Sequence, residues 1–330
     1  MKNLEKNENV WTRYWSKGVI NSCFYDDPSG NYGGEIKNFW VSVVERLSDK
    51  ASMLDLCTGN GALISLVMSL EQSEGFDKYV GVDLASIQPI WLDKVEAEAK
   101  SKIKMLGNTA IEELPVSDSE FSLVVSQFGV EYCEIEGVIH QVERVLKNNG
   151  VFAAVIHHKE SLIVKNAVEE KAHLDYLLTS ETVKSTIEIM LGYMAKLKNK
   201  QNLKKIQADA DANKAKLQFN SQVDELTKRA KASHCPDVIY ELLDIVMLSF
   251  KAAQNEGLKF AKGTINNFWS ELRDSRVRLE NLINASLTES EIQNLIDKLH
   301  SNGLSEGSVV KLKESNQLLA WGLSAKKVKK

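Results

Sequence analysis

The 330-residue chain predicts a doubly wound α/β fold with an all-helical block set into it. Three observations carry that prediction. From residue 51 to residue 157, short apolar runs alternate with helix-length segments. Between residues 160 and 302 the pattern becomes helical throughout, with no strand signal. Strand composition returns only after Asn302-Gly303, in two runs split by a turn.

The elements follow in order. Residues 1–34 concentrate rings and turn formers: Trp11, Tyr14, Trp15, Phe24, Tyr25, Asp26-Asp27-Pro28-Ser29-Gly30, Tyr32 and Gly33-Gly34. So many large side chains need a surface to cover them. The segment therefore packs on the domain edge or closes as a lid over a ligand, with Tyr14, Trp15 and Tyr32 as candidate substrate contacts. Residues 35–48 form an amphipathic helix, with Ile36, Phe39, Trp40, Val43, Val44 and Leu47 on one face.

Strands are predicted at 51–56, 79–83, 103–106, 121–127 and 151–156, with helices at 62–70, 92–102 and 138–146. Asn148-Asn149-Gly150 supplies the turn before the fifth strand. Strands apolar on both faces indicate a parallel sheet covered by helices on both sides. Helices are then expected at 181–197, 203–226, 237–254, 260–283 and 289–300, with Pro236 as a natural helix start. They fit a long helical hairpin or bundle. The basic run 196–205 reads as a solvated face. The last strands, 308–312 and 317–323, form an antiparallel pair. Two strands alone make a poor sheet, so they complete the first one as its sixth and seventh strands, and the helical block is an insertion. The tail 326–330 is expected to be disordered. The chain thus divides into an N-terminal aromatic segment (1–50), a core (51–159), a helical insertion (160–302) and the closing strands (303–330).

Composition excludes several classes. The net charge is −4, with 14 basic against 23 acidic residues in 1–150 and 27 against 22 in 151–330. Neither half is basic enough for a general nucleic-acid binder. Cys23, Cys57, Cys133 and Cys235 form no CxxC pair, so reduced thiols in a cytoplasmic setting are expected, without a disulfide framework or metal site. The polar N-terminus lacks the apolar region of a signal peptide. No apolar run approaches the roughly 20 residues of a membrane helix.

The chemistry centres on Met53-Leu54-Asp55-Leu56-Cys57-Thr58-Gly59-Asn60-Gly61-Ala62-Leu63. It reads as a strand ending in an acid, a tight turn, then a helix start. Glycine permits unusual backbone angles and close approach of a ligand, and helix N-termini present N–H groups. A second acid, Asp83, ends the next strand, 24 residues after Gly59, where it can accept hydrogen bonds from both hydroxyls of a ribose. A nicotinamide dinucleotide fits less well. Its fingerprint wants a third glycine where Ile64 stands, and it makes no call for Asp55.

These residues resemble the class I, Rossmann-like S-adenosylmethionine-dependent methyltransferases. Asp55-Leu56-Cys57-Thr58-Gly59-Asn60-Gly61 is similar to that family's glycine loop, and Gly81-Val82-Asp83-Leu84 to its ribose-binding strand end. Gly107-Asn108-Thr109-Ala110 with Leu114-Pro115 resembles the segment flanking the adenine. Residues 121–128 and 142–152 resemble the fourth strand and the helix, turn and fifth strand. The resemblance spans about residues 45–157 plus the closing strands. It implies S-adenosylmethionine as cofactor, with Cys57, Thr58 and Gly59 bordering the methionine portion, Asn60 and Gly61 as further cofactor-binding residues of the loop, and Asp55 contacting its amino group directly or through water. Asp83 would hold the ribose, Leu84 the adenine face, and Asn108 and Thr109 the adenine edge, with Gln127 at the end of the fourth strand. Two positions depart from the family, which usually has Asp at Asn108 and often at Ser122.

The acceptor side is less explicit. Methyl transfer needs alignment and, for a hydroxyl, proton removal. Candidate groups at strand ends are Glu131, His157 and His158, with Phe128 and Tyr132 as further substrate contacts. The alternative for the histidines is to cap the strand or pair with Glu160. Ser126-Gln127-Phe128-Gly129 lacks the Pro-Pro-aromatic motif of amino-methylating DNA enzymes of this fold, so no DNA partner is expected. Three readings remain: methylation of oxygen or nitrogen on a small molecule, methylation of a peptide or protein side chain, and a non-catalytic binding or interaction protein. The helical insertion would serve as a substrate cover, a homodimer interface, or both.

Overall fold

A computed structural model describes residues 10–22, 31–47, 50–71 and 75–328. Phe24, Tyr25 and the Asp26–Gly30 turn formers lie outside the described residues. Two compact units divide the chain: Met1–Lys165 with Asn281–Lys330, and Asn166–Glu280.

The strands are β1 (Ala51–Leu56), β2 (Phe76–Val82), β3 (Ile103–Leu106), β4 (Phe121–Gln127), β5 (Leu146–His157), β6 (Leu304–Glu314) and β7 (Gln317–Lys327). The helices of eleven residues or more are α1 (Gly34–Val44), α4 (Ile135–Val145), α5 (Leu162–Thr179), α6 (Glu181–Lys196), α8 (Ala210–Lys231), α9 (Asp237–Asn255), α10 (Leu258–Ala285) and α11 (Glu289–Ser301). Shorter ones are α2 (Ala62–Met68), α3 (Ala97–Ser101) and α7 (Leu203–Ala208).

All seven strands form one sheet in the order β3-β2-β1-β4-β5-β7-β6. β1 to β5 are parallel, and β7 runs antiparallel to both β5 and β6. This is the doubly wound architecture that the sequence predicts. Alternation along the strands sorts the core into two layers. On one face Leu54, Leu56, Val80, Val82, Val124, Ile156 and Leu323 pack with Val138, Ile139 and Val142 of α4 and with Ile292, Leu295 and Leu299 of α11. On the other, Met53, Tyr79, Leu123, Val125 and Val155 pack with Ile36, Trp40 and Val43 of α1 and with Leu63, Ile64 and Val67 of α2. A capping box at Thr288 and Glu291 starts α11. That helix covers the sheet and belongs to the first unit.

The second unit, built from α5 to α10, has its own core of Leu174, Leu177, Ile187, Leu191, Leu226, Leu242, Val246, Ile265, Phe268 and Leu272. It is narrower than the 160–302 block read from the sequence. Among the described residues, no helix is long and apolar enough to cross a membrane.

Three expectations need correction. The helix expected over 92–102 is a single turn at Ile90–Lys94 followed by α3, because Val95 adopts an extended conformation at ψ 134°. The helix expected over 203–226 breaks at Asp209, whose carboxylate accepts from the Asp211 and Ala212 N–H groups and so starts α8 afresh. Of the tail expected to be disordered, Lys326 and Lys327 belong to β7, and residues 329 and 330 lie outside the described residues. The Lys327 ammonium is satisfied by the Leu146 carbonyl at 3.0 Å and by the Glu143 carbonyl.

Candidate cofactor and substrate cavity

The strand order reverses between β1 and β4, and ligands bind beyond the carboxyl ends of strands at such a point. A cavity of about 710 Å³ opens there in the first unit, within the roughly 300–1,000 Å³ range of small-molecule sites. β1 and β2 pair in parallel with Leu56 beside Val82, so the acids near their ends reach the same mouth.

Asp55 is buried and accepts from Thr58 Oγ1 at 2.6 Å. Burial pushes its carboxyl up to about 7; the Thr58 bond opposes that rise and the charge of Asp83 adds to it. The Asp83 oxygens accept from the Gly59 N–H at 2.8 Å and the Ala85 N–H at 2.9 Å. Burial lifts Asp83 to about 6, partly offset by those two backbone donors. Both acids sit where the charged form is disfavoured until a partner arrives.

The glycines of the loop serve the protein itself rather than an approaching ligand. A Cβ at Gly59 would lie 2.5 Å from the Trp15 ring, at a φ of +53°. One at Gly61 would meet Met105 at 3.0 Å and Trp91 at 3.2 Å, at a φ of +83°. Asn60 is committed as a tether: its amide donates to the Trp15 and Val19 carbonyls and accepts from the Gln88 N–H.

The structure brings most of the residues named from the sequence together. Asp55, Cys57, Thr58, Asp83, Leu84, Thr109 and Gln127 line the cavity, with Trp15, Tyr32, Phe128, Glu131 and Tyr132. Gly59, Asn60, Gly61, Asn108, Tyr14, His157 and His158 are not on its wall. Asn108 is exposed, with φ +51° in a turn. The Tyr14 hydroxyl donates to the Asn21 carbonyl. His158 stacks on Trp321 with ring centroids 4.1 Å apart, and its Nδ1 accepts from the Glu160 N–H. Burial first, then the Lys311 charge, hold its pKa below the usual histidine value.

His157 lies behind the wall. Its Nδ1 is 2.7 Å from Glu131 Oε1, which also accepts the His157 backbone N–H at 3.1 Å. A carboxylate oxygen taking both donors places the ring proton on Nδ1. Phe128 covers His157, with ring centroids 4.3 Å apart. Phe128 and Cys57 are both non-glycine residues in the left-handed region, at φ +53° and +56°, and such conformations cluster at functional sites.

Residues 54–154 match the family model described as a methyltransferase domain. The chain is also similar to an uncharacterized protein of Methanocaldococcus jannaschii, 25% identical over 155 residues that cover 44% of this chain and 56% of the relative. Among solved structures it is similar to the YcgJ protein from Bacillus subtilis, at 18% identity and a TM-score of 0.33, covering 43% of this chain and 58% of that one. A further match is geranyl diphosphate C-methyltransferase from Streptomyces coelicolor in complex with S-adenosyl-L-homocysteine, at 13% identity and a TM-score of 0.33, covering 46% and 63%. The chain spans less than two thirds of each of these proteins.

Several wall residues of the cavity escape sequence reasoning as ligand contacts. Trp11 stacks on Trp15 with ring centroids 5.9 Å apart. Ala62, Leu63 and Cys133 join it, as do Asn281, Asn284 and Ala285 from the far end of α10. The last three lie within the 160–302 helical block read from the sequence but in the first unit, and no local signal marks them.

Proposed function

We propose that the chain transfers a methyl group from S-adenosylmethionine to an oxygen or nitrogen atom of a small-molecule acceptor. The observation that supports this reading is the pair of strand-end carboxylates, buried Asp55 and half-buried Asp83, on one cavity wall that continues into a set of aromatic rings. The residues present suit the cofactor. Each Asp83 oxygen accepts one backbone N–H, and each keeps lone-pair capacity for a ribose hydroxyl. Asp55 suits an ammonium, whose charge would compensate a carboxylate that burial disfavours. Leu84, Thr109, Ala110 and Ile111 offer an adenine slot, and the Cys57–Thr58 stretch borders the methionine portion.

S-adenosylmethionine supplies an electrophilic methyl on a positive sulfur with a neutral leaving group. The protein's task is alignment, exclusion of water and removal of one proton. Trp11, Trp15, Tyr32, Phe128 and Tyr132 form an apolar wall whose ring faces favour a cation nearby. They suit a flat or largely apolar acceptor. Glu131, with His157 behind it, is the acid–base pair on that side of the cavity.

Calorimetry with S-adenosylmethionine tests the donor half: binding is expected in the wild type, and a loss of tenfold or more in affinity in Asp83→Ala. No heat with the wild type would sink the reading. Labelled cofactor incubated with cell extract, fractionated by size, tests the acceptor half. Label in the small-molecule fraction is expected, whereas label on protein points to side-chain methylation.

A further inference from the structure

Cys57 and Cys133 stand 76 positions apart in sequence, yet their sulfurs lie 3.6 Å apart. Both line the cavity. Gly129 makes the approach possible. A Cβ there would stand 2.4 Å from Cys57 Cβ and 2.8 Å from Ser126 Oγ, so the turn after β4 meets the turn after β1 only without a side chain at that position. The backbone on either side is fixed. Ser126 Oγ donates to the Leu56 carbonyl and accepts from the Val130 N–H, and the Cys133 N–H donates to the Val130 carbonyl.

We propose that Cys57 and Cys133 form a reversible oxidation site, closed to a disulfide by a peroxide, and that closure turns ligand binding off. The pairing stands on geometry alone; the loss of binding rests on the methyltransferase reading above.

The Cys133 sulfur attacks one peroxide oxygen, the O–O bond breaks, and the departing oxygen leaves as water, giving a sulfenic acid. The Cys57 sulfur then attacks that sulfur, the S–O bond breaks, and a second water carries off the remaining proton. Two thiols lose two electrons and two protons, and the peroxide is reduced to two waters. Its hydrogen bond to Cys133, then burial, push the Cys57 thiol up. The balance is the same whichever of the two sulfurs attacks the peroxide first.

Closing 3.6 Å to a bond of about 2.05 Å draws the two turns together. The first turn carries the Gly59 N–H that holds Asp83, and the second carries the Glu131 carboxylate that holds His157. Both sides of the cavity are disturbed by the same bond.

The test treats the full chain with stoichiometric hydrogen peroxide, blocks free thiols and maps the peptides by mass. A loss of two hydrogens on a Cys57–Cys133 linked peptide, reversed by dithiothreitol, is expected, and the Cys133→Ser variant should not form that link. The oxidised protein should bind S-adenosylmethionine at least tenfold more weakly, with recovery on reduction. Oxygen added to single cysteines, or a bridge through Cys23 or Cys235, overturns the pairing. A bridged protein with unchanged affinity overturns the off-switch. If the reduced protein binds no S-adenosylmethionine, the off-switch falls with the functional reading, while the peptide map still decides the pairing.

Discussion

Asp55 makes a pH prediction whose sign follows from its raised pKa. The carboxyl titrates near 3.8 when unfolded and near 7 in the fold. Ionisation is therefore opposed by the native state, and the ligand-free protein loses stability as pH rises from about 4 to about 7. A ligand ammonium reverses the preference, because it pairs only with the ionised form. Affinity for S-adenosylmethionine should climb as pH rises through about 7 and level off above it. Calorimetry from pH 5.5 to 8 checks this, and in Asp55→Asn the rise centred near 7 should disappear. Glu131→Gln supplies a second test. The amide keeps an oxygen toward His157 but cannot take a proton. Turnover should fall by roughly 10²–10⁴-fold, the range for a lost general base, with cofactor affinity within about threefold of wild type. Equal losses in both would assign Glu131 to packing. At this scale the sequence was informative for the acids, because a strand that ends in a carboxylate is a local pattern. It was silent on the Trp40 indole that donates to Gln127, or the Cys57–Cys133 contact, since both join residues more than 70 positions apart.

Elements carried the clearest sequence signal where apolar runs were long. β1 and β4 are buried along nearly their whole length and β5 from Phe152 to His157, and an uninterrupted apolar run is what such a strand requires. Helix breaks were harder to read, because the break at Asp209 depends on one side chain turning back to cap the next helix. The second unit holds a comparable device. Arg229 Nε donates to His173 Nδ1 at 2.8 Å, so the ring proton sits on Nε2, which is 2.8 Å from Ser233 Oγ. Ser233 in turn donates to Glu169. The serine proton thus goes to the glutamate, and the cluster is a clasp between α5 and the end of α8 rather than a nucleophile with its base. Burial, then the Arg229 charge, depress the His173 pKa below 6.5. A histidine that resists protonation when folded lowers stability as pH drops below about 6.5. Thermal melts should show the wild type losing more stability than His173→Gln between pH 7 and 5. Parallel losses in the two proteins would remove His173 from that role.

For the molecule as a whole, the mostly parallel sheet, the closing antiparallel pair and the presence of an inserted helical block were legible from the pattern of apolar runs, whereas the strand order was not. The exact partition was not. α11 looks in sequence like one more helix of the insertion, but Ile292, Leu295, Ile296 and Leu299 bury against the sheet, and only tertiary packing reveals that. The N-terminal rings were recognised as needing cover, but the sequence did not say what holds them. That role falls to Asn60, whose single side chain binds the carbonyls of Trp15 and Val19 while accepting from the Gln88 backbone. The consequence is kinetic. The knot ties the 10–22 stretch, which supplies Trp11, Trp15 and Ile20 to the cavity wall, to the loop that bears Gly59. Residence time should then be set by how often this knot slips, while the polar contacts at Asp55 and Asp83 set which molecule is held. In stopped-flow exchange, Asn60→Ala is expected to release S-adenosylmethionine at least tenfold faster and to bind it faster as well. Unchanged rates in both directions would mean that the stretch opens without Asn60, and that the tether governs folding of the arm rather than traffic through it.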